Sequence, residues 1–163
     1  GWTASVYVDT TGLLRVSVFW FGSATDQFVT TNPVNDGRWH HLVVAYQNGV
    51  QTVYLDGQEI GTYTSDESGY ASSYSYTLGV ADTAGNWPNG NGSWFWFKGL
   101  LGQTAIYPYA LTPQQVQAHY NAHSLAQPGA YEAVILASKP TAYWPLTDSS
   151  GVWAHDAVLR PVG

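Results

Sequence analysis

The chain has 163 residues, enough for one domain with a buried core, and 45% are hydrophobic, which marks a globular rather than a disordered chain. Only 10% are charged, and the net charge is −6 with 5 Lys and Arg in all. No basic surface suited to nucleic acid or to an anionic membrane can be assembled from that count. Cysteine is absent, which removes disulfides, thiolate chemistry and cysteine zinc sites together. No apolar run approaches the ~20 residues of a membrane helix, so neither nucleic acid nor membrane insertion is expected. The surface must be built from Ser, Thr, Asn, Gln, Gly and Tyr, a palette common outside the cell. The opening at Gly1-Trp2, without a methionine, reads as a mature or excised piece.

The first two-thirds reads as β structure. Short runs rich in Val, Tyr, Phe, Trp and Thr occupy 5–8, 13–21, 27–31, 40–47, 51–55 and 59–63. Thr11-Gly12, Gly22-Ser23, Asn35-Asp36-Gly37, Asn48-Gly49 and Asp56-Gly57 separate them. Asn-Gly and Asp-Gly suit the type I′ turns that join antiparallel strands, so 39–63 is expected to be a three-stranded meander. Within it Val43, Ala45, Val53 and Leu55 are assigned to one core face. The stretch 64–75 is polar loop, 76–80 a strand, and 82–93 a Gly/Asn/Pro loop holding Trp87. Strands follow at 94–98 and 101–107. Trp20, Trp39, Trp96 and Trp144 are read as core or half-buried aromatics.

Thr112 caps a helix expected from Pro113 to about His123, with Pro113 at its first position and Gln115 closing a capping box. Gln127-Pro128-Gly129 is a linker, 130–137 a second short helix, and 141–146 a final strand.

Two ordered blocks carry a resemblance. GRWHHLVVAYQNGVQTVYLDGQEIGT at 37–62, and Phe97-Lys98-Gly99-Leu100-Leu101-Gly102-Gln103-Thr104-Ala105-Ile106-Tyr107 with the turn and helix after it, resemble the laminin-G-like, concanavalin A-like family. The match spans about 6–122. The resemblance implies an all-β jelly-roll sandwich with one or two short peripheral helices, and a structural role for Trp39 and one of the neighbouring histidines. A third block, 131–151, is similar to the opening of a bacterial domain of this family. The organisation expected is therefore a laminin-G-like domain at 1–125, without its usual N-terminal strands. At 126–163 a linker, short helix and opening strand then resemble the start of a following repeat.

Catalysis finds little support. Glycoside hydrolysis needs two carboxylates ~5–10 Å apart across the bond, yet Asp66 and Glu67 are adjacent and would point apart if extended. His40 and His41 face opposite sides of a strand. His119 and His123, at i and i+4 on one helix face, read as a solvent-facing pair rather than zinc ligands. Calcium is the one candidate cofactor. The resemblance implies rim sites built from oxygens, and Asp82, Asn86 and Asn89 are the candidate ligands.

The reading is a non-catalytic, secreted or cell-surface carbohydrate-binding or adhesion module from a repeat-containing protein, with a glycan as partner. Asp82, Asn86, Trp87, Asn89 and Asn91 are the candidate sugar-binding residues, with Trp87 as stacking ring and the polar side chains as hydroxyl partners. The alternative is a structural subunit of an extracellular filament, self-associating by strand exchange through Tyr143, Trp144 and Leu146. That tail either folds back onto 101–107 in cis or inserts into a neighbouring chain. A glycoside hydrolase of the same fold is the weakest reading.

Overall fold

A computed structural model describes residues 5–16, 28–64, 77–83, 87–125 and 127–158. The chain divides into two compact units, Gly1–Leu55 with Glu59–Lys98, and Asp56–Gln58 with Gly99–Gly163.

In the first unit, β1 (Val6–Val8), β2 (Leu13–Val16) and β3 (Phe28–Pro33) form one antiparallel sheet. A second sheet holds β4 (Leu42–Gln47), β5 (Val50–Leu55) and β6 (Gln58–Thr64) in that order. The meander follows from its turns. Asn48 and Gly49 have φ of 52° and 80°, and Asp56 and Gly57 repeat these values, the doubly left-handed pair that matches strand twist. Leu14, Val16 and Val53 form the buried cluster between the sheets, with Phe28, Val34, Leu42, Val44, Leu55 and Ile60 packed against it.

The assignment of Val43, Ala45, Val53 and Leu55 to one face is corrected. The two-residue turn pairs Gln47 with Val50, so Val44 lies opposite Val53 and Leu42 opposite Leu55, while Val43 lies opposite Tyr54. Odd positions of β4 therefore share a face with even positions of β5. Ala45 and Tyr54 are buried too, on the face away from Val53.

The strand expected at 76–80 lies later, as β7 (Val80–Asp82), and pairs with β8 (Trp94–Trp96) in a two-stranded ribbon. Ahead of it the Thr77 hydroxyl donates to the Val80 carbonyl, and Gly79 has φ 82°, which makes the intervening residues a turn. Trp20, Asp66, Glu67 and the expected strand residues 17–21 lie outside the described residues.

The second unit contains β9 (Thr104–Ile106), α1 (Pro113–Ala122), α2 (Ala130–Ala137) and β10 (Ala142–Trp144). The capping box forms as expected between Thr112 and Gln115. His119 is corrected: it is 2% exposed, its Nε2 lies 2.8 Å from the Ser138 hydroxyl, and its ring stacks on Tyr107 at 5.8 Å. It is a packed core residue, and only His123 is exposed. The Asp56–Gln58 turn belongs to this unit, where Gln58 bonds Gln117 at 2.9 Å. A Cβ on Gly57 would come within 2.9 Å of the Tyr120 ring and of Gln117.

The tail strand β10 pairs antiparallel with β9 in the same chain, Tyr143 opposite Ala105. Tyr143 is wholly buried and its hydroxyl donates to Gln103. Burial, reinforced by Glu132 and Tyr131, pushes that phenol up to about 12. On the strand's other side the Tyr143 N–H donates to Asp156 at 3.0 Å and its carbonyl accepts from Ala157 at 2.8 Å. Removing the Tyr143 ring would cost about 3–5 kcal/mol, the range for truncating a buried aromatic. Trp144 and Leu146 are half-buried.

Candidate functional site

Asn89 and Asn91, two of the polar candidates of the 82–93 loop, are built into the first unit's own hydrogen bonding. Asp9, at the β1–β2 turn, is the centre. Its Oδ1 accepts from the Thr11 N–H (2.8 Å), the Thr11 hydroxyl (2.6 Å) and the Leu13 N–H (3.1 Å). Its Oδ2 accepts from Arg15 Nε at 2.6 Å and from the Asn89 amide at 3.4 Å. Burial alone would raise this carboxyl. The bonds from the Thr11 hydroxyl, Arg15 and the Thr11 and Leu13 N–H groups outweigh it and hold the group at about 2. A carboxylate so saturated with donors is a poor general acid or base.

Asn89 ties the two segments together. Its carbonyl accepts from the Thr10 N–H (2.9 Å) and hydroxyl (3.0 Å), and the Tyr7 hydroxyl reaches the Pro88 carbonyl at 2.9 Å. Asn91 Oδ1 accepts from the Thr83 hydroxyl at 2.6 Å and the Ser93 N–H at 3.3 Å. Between them lies a cleft of about 90 Å³ lined by Tyr7, Asp9, Thr83, Asn89, Asn91 and Phe95. Ligand pockets begin near ~300 Å³, so this cleft is too small to enclose a sugar.

Of the calcium ligands named from the sequence, Asn89 and Asp82 lie on different sides of the ribbon. Asn89 lines the inward cleft and gives its amide to Asp9. Asp82 lies opposite Trp94 on the ribbon's other face. Asn86 is outside the described residues. No group of three or more His, Asp or Glu side chains able to hold a metal occurs among the described residues. Trp87 is half-buried, and its carbonyl accepts the Gly90 N–H at 3.1 Å in a tight turn.

The ribbon that follows presents the opposite chemistry. Strand alternation sends Phe95, opposite Ala81, toward the cleft, and Trp94 and Trp96 outward. Trp94 is 41% exposed and Trp96 70%, which corrects the assignment of Trp96 to the core. Asp82 stands directly across from Trp94, and Val80 across from Trp96. Two indoles and a carboxylate therefore share one outward surface. Sequence reasoning missed Trp94 and Trp96 although the signal was present. In Trp94-Phe95-Trp96 only one parity can point inward, and Thr83, on the same parity as Ala81, is the buried neighbour at 1% exposure. Trp39 is also corrected, at 68% exposure, and Trp153 is 87% exposed. In the chain Trp39 lies between Arg38 and His40, and Trp153 follows Val152.

The laminin-G family model described as "Concanavalin A-like lectin/glucanases superfamily" matches residues 2–117, and the chain belongs to that family. Its fold is the jelly-roll sandwich expected from the two sequence blocks. No curated protein matches the chain. A crystal structure of residues 221–444 of an S-layer domain-containing protein from Clostridium thermocellum is similar at 16% identity and a TM-score of 0.39. That similarity covers 66% of this chain and 50% of the other, so this chain spans half the length of that relative.

Proposed function

We propose that the chain is a non-catalytic carbohydrate-binding module of an extracellular or cell-surface protein. One observation carries the reading: Trp94 and Trp96 lie side by side on an exposed strand face with the Asp82 carboxylate across from Trp94. Sugar rings lay their C–H faces on aromatic surfaces, and a carboxylate accepts from their hydroxyls. The low charge of 10% supports an extracellular setting. The non-catalytic part rests on Asp9, the carboxylate nearest the cleft, whose donors already occupy both oxygens. A glycan array tests the proposal. The wild-type chain should bind a defined subset of glycans, and Trp96→Ala should lose about tenfold or more in affinity. Binding that Trp96→Ala leaves intact would remove the ribbon from the site.

A structural role in an extracellular polymer is the second reading. It draws on β10, whose ladder to β9 would be satisfied equally by the same strand from a neighbouring copy. Molar mass rising with concentration, and collapsing to monomer on Tyr143→Ala, would favour it.

A further inference from the structure

In the second unit, the contacts that fasten residues 130–158 to β9 and α1 lie across a single connection in the chain. α2 packs against α1, and Ile135 of α2 and Tyr143 of β10 are buried at 3% and 0% exposure. The Ser138 hydroxyl lies 2.8 Å from His119 Nε2, and the Ser138 carbonyl accepts from the Tyr109 hydroxyl. Thr141 gives its N–H to the Ile106 carbonyl at 2.8 Å, the β9–β10 ladder follows, and Pro145 accepts from the Gln103 N–H at 3.3 Å. Bonds inside the segment move with it: Asp156 accepts from the Tyr143 and Val158 N–H groups, and Asp148 from the His155 N–H. Residues 130–158 are thus a plug, and β9 with α1 is its socket.

The connection is fastened only to its neighbours. The described residues of 124–129 are all exposed. Their hydrogen bonds reach adjoining turns alone: Ser124 donates to the Asn121 carbonyl and Leu125 to Ala122, while Ala130 and Ala133 donate back to Gln127 and Gly129. Pro128 has no N–H to give, and Gly129 precedes α2 at φ 78° with no side-chain cap. Swinging the connection open breaks turn bonds alone, and the contacts of the plug are remade in the socket of another copy. That is the condition for exchanging an identical element between chains. Ile135 and Tyr143 are costly to leave in water, so one socket or the other must take them. A short connection holds its own plug at an effective concentration on the order of millimolar. Docking in cis therefore prevails in dilute solution, and exchange where copies are packed that densely. We infer that the socket of β9 and α1 fits the α2–β10 segment of a second copy of this chain, exchanged as one block about the 124–129 connection. This rests on the polymer reading above and names the block that is exchanged and the place where the chain opens.

Disulfide trapping tests it, since the chain has no cysteine of its own. Ile106 and Ala142 stand directly opposite each other in the ladder, within the ~4.4–6.8 Å Cα separation that a disulfide bridges. Chains carrying Ile106→Cys alone and Ala142→Cys alone are mixed, refolded together from urea and oxidised. Non-reducing electrophoresis then counts the dimers, and mass spectrometry maps the 106–142 linkage. That linkage should be at least about tenfold more abundant at about 1 mM chain than at about 10 μM. Deleting 124–129 from both chains runs α1 straight into α2 and forbids docking in cis. The linkage should then predominate even at about 10 μM, with circular dichroism checking that the variant folds. A shorter deletion, 127–129, serves if the first does not fold, and should raise the linkage in the same direction. Linkage at the wild-type connection that neither deletion raises would show β10 exchanging alone, which overturns the block and leaves the polymer reading standing. Linkage no higher than in either single variant oxidised by itself, at about 1 mM and after deletion alike, would overturn the exchange and the polymer reading together.

Discussion

Two adjoining stretches of one unit, the loop 87–93 and the strand Trp94–Trp96, divide polar and aromatic chemistry in the opposite way from their composition. The loop is rich in Asn and looks made for sugar hydroxyls, yet Asn89 and Asn91 point into bonds with Asp9, Thr83 and Ser93. The strand is apolar and looks made for a core, yet Trp94 and Trp96 face outward. The difference teaches that the availability of a group decides its role. A polar side chain whose partners are already supplied by the fold has little left to offer a ligand, whereas an exposed ring keeps apolar surface that binding can bury.

The loop's half of the contrast breaks most severely at Asp9. Asp9→Asn keeps the shape but strips Arg15, whose side chain is only 12% exposed, of its partner. Stability should fall by about 3 kcal/mol, the range for breaking a buried pair, as read by urea denaturation, and polysaccharide binding per folded molecule should not change. Acid is the next largest probe. With the carboxyl held at about 2 against an ordinary 3.8, its contribution is fully present above about pH 4. It is lost as pH falls toward 2, amounting to about 2 kcal/mol. A thermal melt followed from pH 5 to pH 2 should show this loss in the wild type, and Asp9→Asn should lack that part of it.

Smaller effects sharpen the line between loop and strand. Trp87→Ala, at a half-buried position, should cost about 1 kcal/mol of stability and weaken binding less than Trp96→Ala does. Trp96→Ala should leave stability within about 0.5 kcal/mol while weakening binding about tenfold. Calorimetric melts and titrations on the same two variants read both quantities. Equal binding losses from both variants would merge loop and strand into one site.

Much of the fold was legible because turn chemistry is local. Asn48-Gly49 and Asp56-Gly57 announced the meander, and Thr112 with Gln115 announced α1, each through backbone geometry that few other residues allow. The tail's affinity for the stretch around Thr104–Ile106 was legible from the resemblance, and Tyr143 opposite Ala105 is its physical form. Which face each residue takes was less legible. A two-residue turn inverts parity between β4 and β5, so Val43 and Val53 part company although both sit at odd positions. The site failed for a related reason. Trp96 was read as core or half-buried from its residue type, whereas Phe95 and Thr83 had already filled the inward side of the ribbon; Trp39, given a structural role by the resemblance, is 68% exposed. His119 erred the other way, because helix spacing alone does not say that Tyr107 and Ser138 wait on that face.

The most direct test follows the indole N–H signals of the tryptophans by nuclear magnetic resonance while a neutral hexasaccharide, cellohexaose or mannohexaose, is titrated in. Substitution to phenylalanine, one tryptophan at a time, assigns each signal. The account predicts that the Trp94 and Trp96 signals move in parallel and saturate together, while those of Trp39 and Trp153, exposed but outside the ribbon, stay in place. Shifts confined to Trp39, Trp87 or Trp153, with Trp94 and Trp96 unmoved at saturating hexasaccharide, would contradict it.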